Sequence, residues 1–300
     1  MTSQQRDLVH QILRNAPFDL GGDVAIHRPL LTQMLTAQPL PADVLMTPGE
    51  LGGVPVIFID IDGVTPRGTI FHLHGGGFAV GSARGSVGLA SNLARKTGMR
   101  AVSIDYRLAP ENPYPAALQD VTAAYGALLA RVGARDVIVS GESAGGNLAI
   151  ELLIAGKPES LPMPAAAILF SPMTDLTVSS DSFITKADAD PSVSAAAIRT
   201  RVNDYLSGTD ATDPLVSPIF ADLSGLPPLL IQAGTHEVLL DDATRLAVKA
   251  AADHVAVVLD VTPGVPHVFQ AFAGILDEGN AALDRAARFV SDHLTSEVAA

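Results

Sequence analysis

Short apolar runs alternate with amphipathic stretches along most of this chain, and that alternation limits its fold more than any other feature. Val54 to Ile61, Thr69 to Leu73, Arg100 to Ile104, Asp136 to Ser140, Ala165 to Phe170, Pro228 to Ala233 and Val255 to Val261 read as strands. Between most of them, Ser86 to Lys96, Pro115 to Arg131, Gly145 to Ala155, Asp241 to Ala252 and Ala281 to His293 carry apolar residues at helical spacing. Strand followed by helix, repeated, predicts an α/β fold with a mostly parallel sheet covered by helices on both faces. A chain of 300 residues has room for one such core with an insertion.

Two segments break the alternation. Residues 1–42 read as two helices, the first capped near Ser3 and closed by Pro17, the second from about Asp23 to Ala37. Residues 175–212 begin rich in Asp, Ser and Thr and continue into a helix near Ala195 to Leu206. Neither extends the sheet, so both are expected to pack over one end of it as a cap. The catalytic core is then 43–174 together with 213–300.

Composition removes whole classes of function. Nineteen Lys and Arg against 32 Asp and Glu leave a net charge of −13, which repels phosphate backbones and anionic lipid. Nucleic acid and membrane surfaces are therefore not expected partners. Without cysteine there is no disulfide, thiolate nucleophile or Cys-ligated metal centre. The first fourteen residues mix charges and lack the apolar core of a secretion signal. The longest stretches free of Asp, Glu, Lys and Arg, 68–83 and 261–276, are 16 residues each, too short to span a bilayer as a helix. The expectation is a soluble, cytoplasmic protein.

The chemistry concentrates in a few places. Gly141-Glu142-Ser143-Ala144-Gly145 is a GxSxG between the strand DVIVS and the helix GGNLAIELLIA. A bare GxSxG arises by chance in chains rich in Gly and Ser, and its placement on a strand-to-helix turn is what makes it informative. Such a turn projects the Ser143 hydroxyl from the sheet edge, and the N–H of Ala144 points where negative charge would develop. His74-Gly75-Gly76-Gly77-Phe78 follows the strand TIFHL, and three consecutive glycines expose backbone N–H groups as an oxyanion hole requires. The bland alternative is a flexible loop. His72 and His74 lie two apart on a strand and raise a metal-site reading. No nearby Asp or His completes a ligand set, so neither metal nor cofactor is expected.

A serine nucleophile needs a base, and the base needs a carboxylate. Of the eight histidines, His267 is best placed, after the strand VAVVLDV and before the last helix. His10, His27, His254 and His293 read as surface or packing residues. For the acid, Glu237 stands nearest the end of the strand LPPLLIQAG, with Asp241 as runner-up. Asp241 and Asp242 are otherwise explained as first-turn charges favoured by the helix dipole. Ser143, Glu237, His267 is the chain order of nucleophile, acid and histidine found in α/β-hydrolases.

With HGGGF at 74–78, DYRLAPE at 105–111 and GESAGG at 141–146, the chain resembles the hormone-sensitive-lipase-like branch of α/β-hydrolases, the bacterial family IV carboxylesterases. The resemblance runs from the N-terminal segment to His267-Val268-Phe269. It implies an eight-stranded core under a helical cap, with Gly76, Gly77 and Ala144 as oxyanion donors. His74 and the Asp105 to Glu111 segment would support the oxyanion loop. Two positions depart from the commonest pattern: Glu142 stands where Asp usually precedes the nucleophile, and Glu237 stands where the acid is usually Asp. The implied activity is hydrolysis of short- to medium-chain carboxylic esters, a small-molecule substrate class that extends in this family to lactones such as terpene-derived ε-lactones. A non-catalytic small-molecule binding protein on the same scaffold, and an amidase, are the rival readings. A homodimer would fit the family.

Overall fold

Among the residues described by the computed structural model, 2–37 and 39–294, eight strands form one sheet. In chain order the elements are α1 (Thr2–Arg14), α2 (Val24–Leu35), β1 (Val44–Leu51), β2 (Val54–Ile61), β3 (Thr69–Leu73), α3 (Val87–Thr97), β4 (Arg100–Ile104), α4 (Ala116–Leu129), β5 (Val137–Glu142), α5 (Ala144–Gly156), β6 (Ala166–Phe170), α6 (Ser182–Thr185), α7 (Ala195–Leu206), β7 (Leu229–His236), α8 (Leu240–Ala252), β8 (Val257–Pro266) and α9 (Asp277–His293). The strand order is β1-β2-β4-β3-β5-β6-β7-β8. β1 and β2 pair antiparallel, as do β2 and β4, and every other pair is parallel.

The central strands β3, β5 and β6 are buried along their whole length, which is why they read as continuous apolar runs. Alternate side chains feed two cores. Phe71, Leu73 and Val139 pack with α4, α5 and α8 on one face, and Ile70, Ile138 and Ile168 with α3 and α9 on the other. Parallel register brings the carboxyl ends of the strands to one edge: Leu73 lies beside Gly141, Glu142 beside Phe170, and His236 beside Pro266. Ligands of open α/β sheets bind at that edge.

Three differences from the pattern reading have local causes. β1 is absent from the apolar runs because it is an edge strand with mostly exposed residues, and it includes Pro48, which is tolerated where only one neighbour must be bonded. β5, β7 and β8 run a few residues past their apolar stretches, so Glu142, His236 and Pro266 end strands rather than sit in loops. α1 begins at Thr2, which puts Ser3 inside the helix rather than at its cap.

α1, α2, α6 and α7 contribute nothing to the sheet. α1 packs on β8 and α9, with Val9 against Val265 and Ala282, and the two segments outside the alternation also touch: Arg14 Nη2 donates to Asp188 O, and a Cβ on Gly21 would touch Cα of Ala197 in α7 at 3.0 Å. Asp23 and Ser194 cap α2 and α7, each accepting from a backbone N–H of the first turn. Among the described residues no helix is long and apolar enough to cross a membrane.

Candidate active site

β5 must turn into α5 within a single residue, and Ser143 takes that turn at φ 56°, ψ −119°. A non-glycine residue there is strained, and it persists because its surroundings over-determine it. Ser143 N–H donates to Phe170 O at 2.9 Å, and Ser143 O accepts from Met173 N at 3.1 Å. The helix sits so close to the sheet that a Cβ on Gly145 would lie 2.1 Å from Leu73 O. Only glycine fits that approach. The same closeness puts the first N–H of α5, that of Ala144, at the strand ends.

Beside this turn runs the loop 74–78. A Cβ on Gly75 would lie 3.2 Å from the Cβ of Ser143, so loop and serine are in contact. Gly76, at φ 116°, closes a tight turn in which its carbonyl accepts from Ala79 and Val80 N–H. The N–H groups of Gly76, Gly77 and Ala144 donate to no acceptor among the described residues.

The loop is fastened at several points. His74 Nδ1 lies 2.8 Å from Gly75 O, its ring stacks on Tyr106 at 4.1 Å, and Tyr106 donates its hydroxyl to His74 O at 2.6 Å. Ala109 N–H donates to Phe78 O, and Asp105 accepts from Ala83 N–H. From α2, Arg28 donates to Ala79 O and Ala109 O and pairs with Glu111. Thus DYRLAPE does not reach the serine itself; it braces the turn beside it.

Beneath the serine, Glu142 Oε1 accepts from Ser86 Oγ at 2.5 Å and Gly75 N at 3.2 Å. Its other oxygen lies 2.8 Å from His72 Nε2, close but out of line for a straight hydrogen bond. Burial raises the Glu142 pKa, but the His72 ring and these hydrogen bonds outweigh it and leave it below its usual value. His72 Nδ1 faces Ser140 Oγ at 3.2 Å. In each histidine of the HxH pair Nδ1 has a protein partner, while Nε2 is buried without a hydrogen bond among the described residues.

At the neighbouring strand ends, His267 Nδ1 lies 2.7 Å from Glu237 Oε2. Glu237 is fully buried, and its Oε1 accepts from Gly234 N at 2.6 Å and Ser171 Oγ at 3.1 Å. A carboxylate so anchored fixes the imidazole's orientation and places the proton on Nδ1. Burial lowers the His267 pKa, but the hydrogen bond and charge of Glu237, with Asp190 and Glu142 nearby, raise it further, for a net shift above 6.5. The two other acids considered go elsewhere. Asp241 accepts from Ser182 N–H. Asp242 is in the first turn of α8 and is buried there: it accepts from Thr174 and Asp175 N–H and Ser180 Oγ, and burial pushes its pKa up to about 7.

Two contributors escaped the sequence reading. Ser171, just past β6, donates to Glu237 and accepts from Val268 N–H at 3.1 Å, bridging the loops of acid and histidine. Asp190 accepts from Val238 N–H next to Glu237 and adds negative charge near His267. The signal for Ser171 is slight, a small hydroxyl residue ending a buried strand; for Asp190 there is none, since it comes from a segment outside the alternation.

Comparisons with known proteins agree with this architecture. A family model described as alpha/beta hydrolase fold matches residues 70–271. An esterase of Acinetobacter venetianus is 38% identical over 266 residues, covering 88% of each chain, and an acetyl-hydrolase of Streptomyces hygroscopicus is 39% identical over 223 residues, covering 74% of this chain and 75% of that one. The crystal structure of an esterase from the bacterial hormone-sensitive lipase family superposes with a TM-score of 0.94 at 38% identity, covering 98% of this chain and all of that one.

Proposed function

Because this chain belongs to the α/β-hydrolase family, in its bacterial hormone-sensitive-lipase branch, and is a carboxylic ester hydrolase, we propose that it cleaves short- to medium-chain esters through an acyl-enzyme on Ser143. The observation that carries the reading is the buried Glu237 carboxylate 2.7 Å from His267 Nδ1, at the same sheet edge as a serine held in a strained turn.

Nδ1–H donates to Glu237, which leaves Nε2 of the neutral ring free to accept a proton. His267 takes the proton of Ser143 as the oxygen attacks the ester carbonyl. The tetrahedral oxyanion is received by the N–H groups of Gly76, Gly77 and Ala144, which point to it without reorganising. His267 then protonates the departing alcohol, and water repeats the two steps on the acyl-enzyme. Losing one oxyanion donor would raise the barrier by about 3 to 4 kcal/mol.

Residues 1–42 and 175–212 form the cap in this reading, over a core of 43–174 and 213–300. Tyr205 of α7 stacks on Phe78 with ring centroids 3.8 Å apart, which brings that helix down onto the oxyanion loop. The Arg201 stem lies on the same loop, where an added Cβ on Gly77 would meet its Cγ at 2.7 Å.

The test is hydrolysis of p-nitrophenyl esters from acetate to laurate by the wild type and Ser143→Ala side by side. Turnover should peak at short chains and fall by about 10⁶ without the serine. Most activity surviving in Ser143→Ala would refute the acyl-enzyme. Folded wild type that is inert on every chain length but labelled by a fluorophosphonate would point to lactones; without labelling, a binding role would remain.

A further inference from the structure

Arg201 stands on the inward side of α7 with its side chain only 4% exposed, and the steps above give it no task. Its stem lies on the oxyanion loop: a Cβ on Gly77 would come within 2.7 Å of Arg201 Cγ. One turn later Tyr205 stacks on Phe78, and one turn earlier Ala197 meets Gly21. The Arg201 stem therefore crosses the seam between α7 and the oxyanion loop, on the helix that also meets the N-terminal segment. Nη2 is 3.0 Å from Asp204 Oδ2, although that contact too is out of line for a hydrogen bond. Nε and Nη1 are buried and have no acceptor among the described residues. Three of the five N–H donors of a group that cannot shed its proton are thus unmatched.

Buried donors are nearly always satisfied, and an exception calls for a cause. A guanidinium fork fits a carboxylate better than any other common group. We propose that Arg201 determines specificity for esters that carry a carboxylate, receiving it at Nε and Nη1 while the ester carbonyl lies at Ser143. The substrates are then monoesters of dicarboxylic acids, if the carboxylate is on the acyl side, or acyl esters of hydroxy acids, if it is on the alcohol side. This rests on the esterase reading. The net charge of −13 repels anions at long range, so the preference is local and is best measured near 0.15 M salt, where charges beyond about 8 Å are screened.

Two ratios of kcat/KM test it, monomethyl succinate over dimethyl succinate for the acyl side and 3-acetoxypropionate over its methyl ester for the alcohol side. At least one should exceed about tenfold in the wild type, the worth of a charge-assisted hydrogen bond. That ratio should fall to one or below in Arg201→Met, with Arg201→Lys between, since an ammonium keeps the charge and loses the fork. Each ratio uses one protein preparation, so the folded fraction cancels. If Arg201→Met does not fold, butyrate and butyramide as inhibitors of neutral-ester hydrolysis by the wild type decide the matter, with the anion expected to bind about tenfold tighter. Ratios near one in the wild type, a preference unchanged in Arg201→Met, or equal inhibition by the two butyric compounds would overturn the proposal. Ser143-dependent turnover of neutral esters would still uphold the esterase reading, which fails if folded wild type hydrolyses none of these esters or if turnover survives Ser143→Ala.

Discussion

In the proposed role of general base, His267 has to begin each turnover without its proton, yet it is ringed by carboxylates that favour the cation. Burial alone would lower its pKa; Glu237, Asp190 and Glu142 reverse that. The acid limb of kcat/KM is therefore expected above the ordinary histidine value of 6.5. In Asp190→Asn, which removes one of the charges while keeping an acceptor for Val238 N–H, the limb should move to lower pH. A pH–rate profile checks both, and a wild-type limb at or below 6.5 would mean that burial dominates. The place of His267 at the sheet edge, beside Glu237, was legible, because position after a strand and before the last helix is written in the pattern. Its proton affinity was not, because Asp190 and Glu142 lie far from it along the chain and are brought near only by folding.

At the scale of elements, the β5–α5 junction is where packing and chemistry share atoms. Gly145→Ala would press a methyl group against the backbone carbonyl of Leu73, at 2.1 Å if nothing moved, and backbone cannot rotate aside as a side chain can. The helix must lift, and Ala144 N–H lifts with it. Urea denaturation should show a loss of about 1 to 3 kcal/mol, with kcat reduced as well. Gly88→Ala, in α3 where an added Cβ meets nothing within 4 Å, is the contrasting case and should be neutral or stabilise by up to about 1 kcal/mol. Strands buried on both faces were legible from their apolar runs. β1 was not, since an edge strand bonded on one side has no need of apolar residues; Asp242 is the first-turn acid the pattern shows, but nothing near it in sequence announces the Thr174 and Asp175 amides that bind it.

For the molecule as a whole, activity and stability are expected to favour opposite directions of pH. Folded Asp242 holds its proton to about 7, whereas its ordinary value is 3.8, so between those values the folded state binds more protons than the unfolded chain. Unfolding free energy therefore falls as pH rises through that window, by on the order of 4 kcal/mol for this group. His267 acts in the same sense: its raised pKa gives stability that is complete below 6.5 and is lost as pH climbs through the folded value. Asp175, whose pKa its hydrogen bonds and Arg245 hold down against burial, stabilises above its ordinary value and loses that contribution only as pH falls below it. Denaturation midpoints should thus decline as pH rises from about 4 to about 7, the Asp242 window, while kcat/KM rises only as His267 loses its proton above 6.5, and Asp242→Asn should flatten the decline. A slope unchanged in that variant would assign the effect to other groups. The spacing of the site along the chain adds a consequence in time. Gly76, Gly77 and Ser143 lie on β3 and β5 or just past them, whereas Glu237 and His267 follow β7 and β8. On the proposed mechanism, the nucleophile and its oxyanion loop leave the ribosome first during synthesis, with neither base nor acid to activate them. Hydrolytic competence can begin only once the last two strands have joined the sheet.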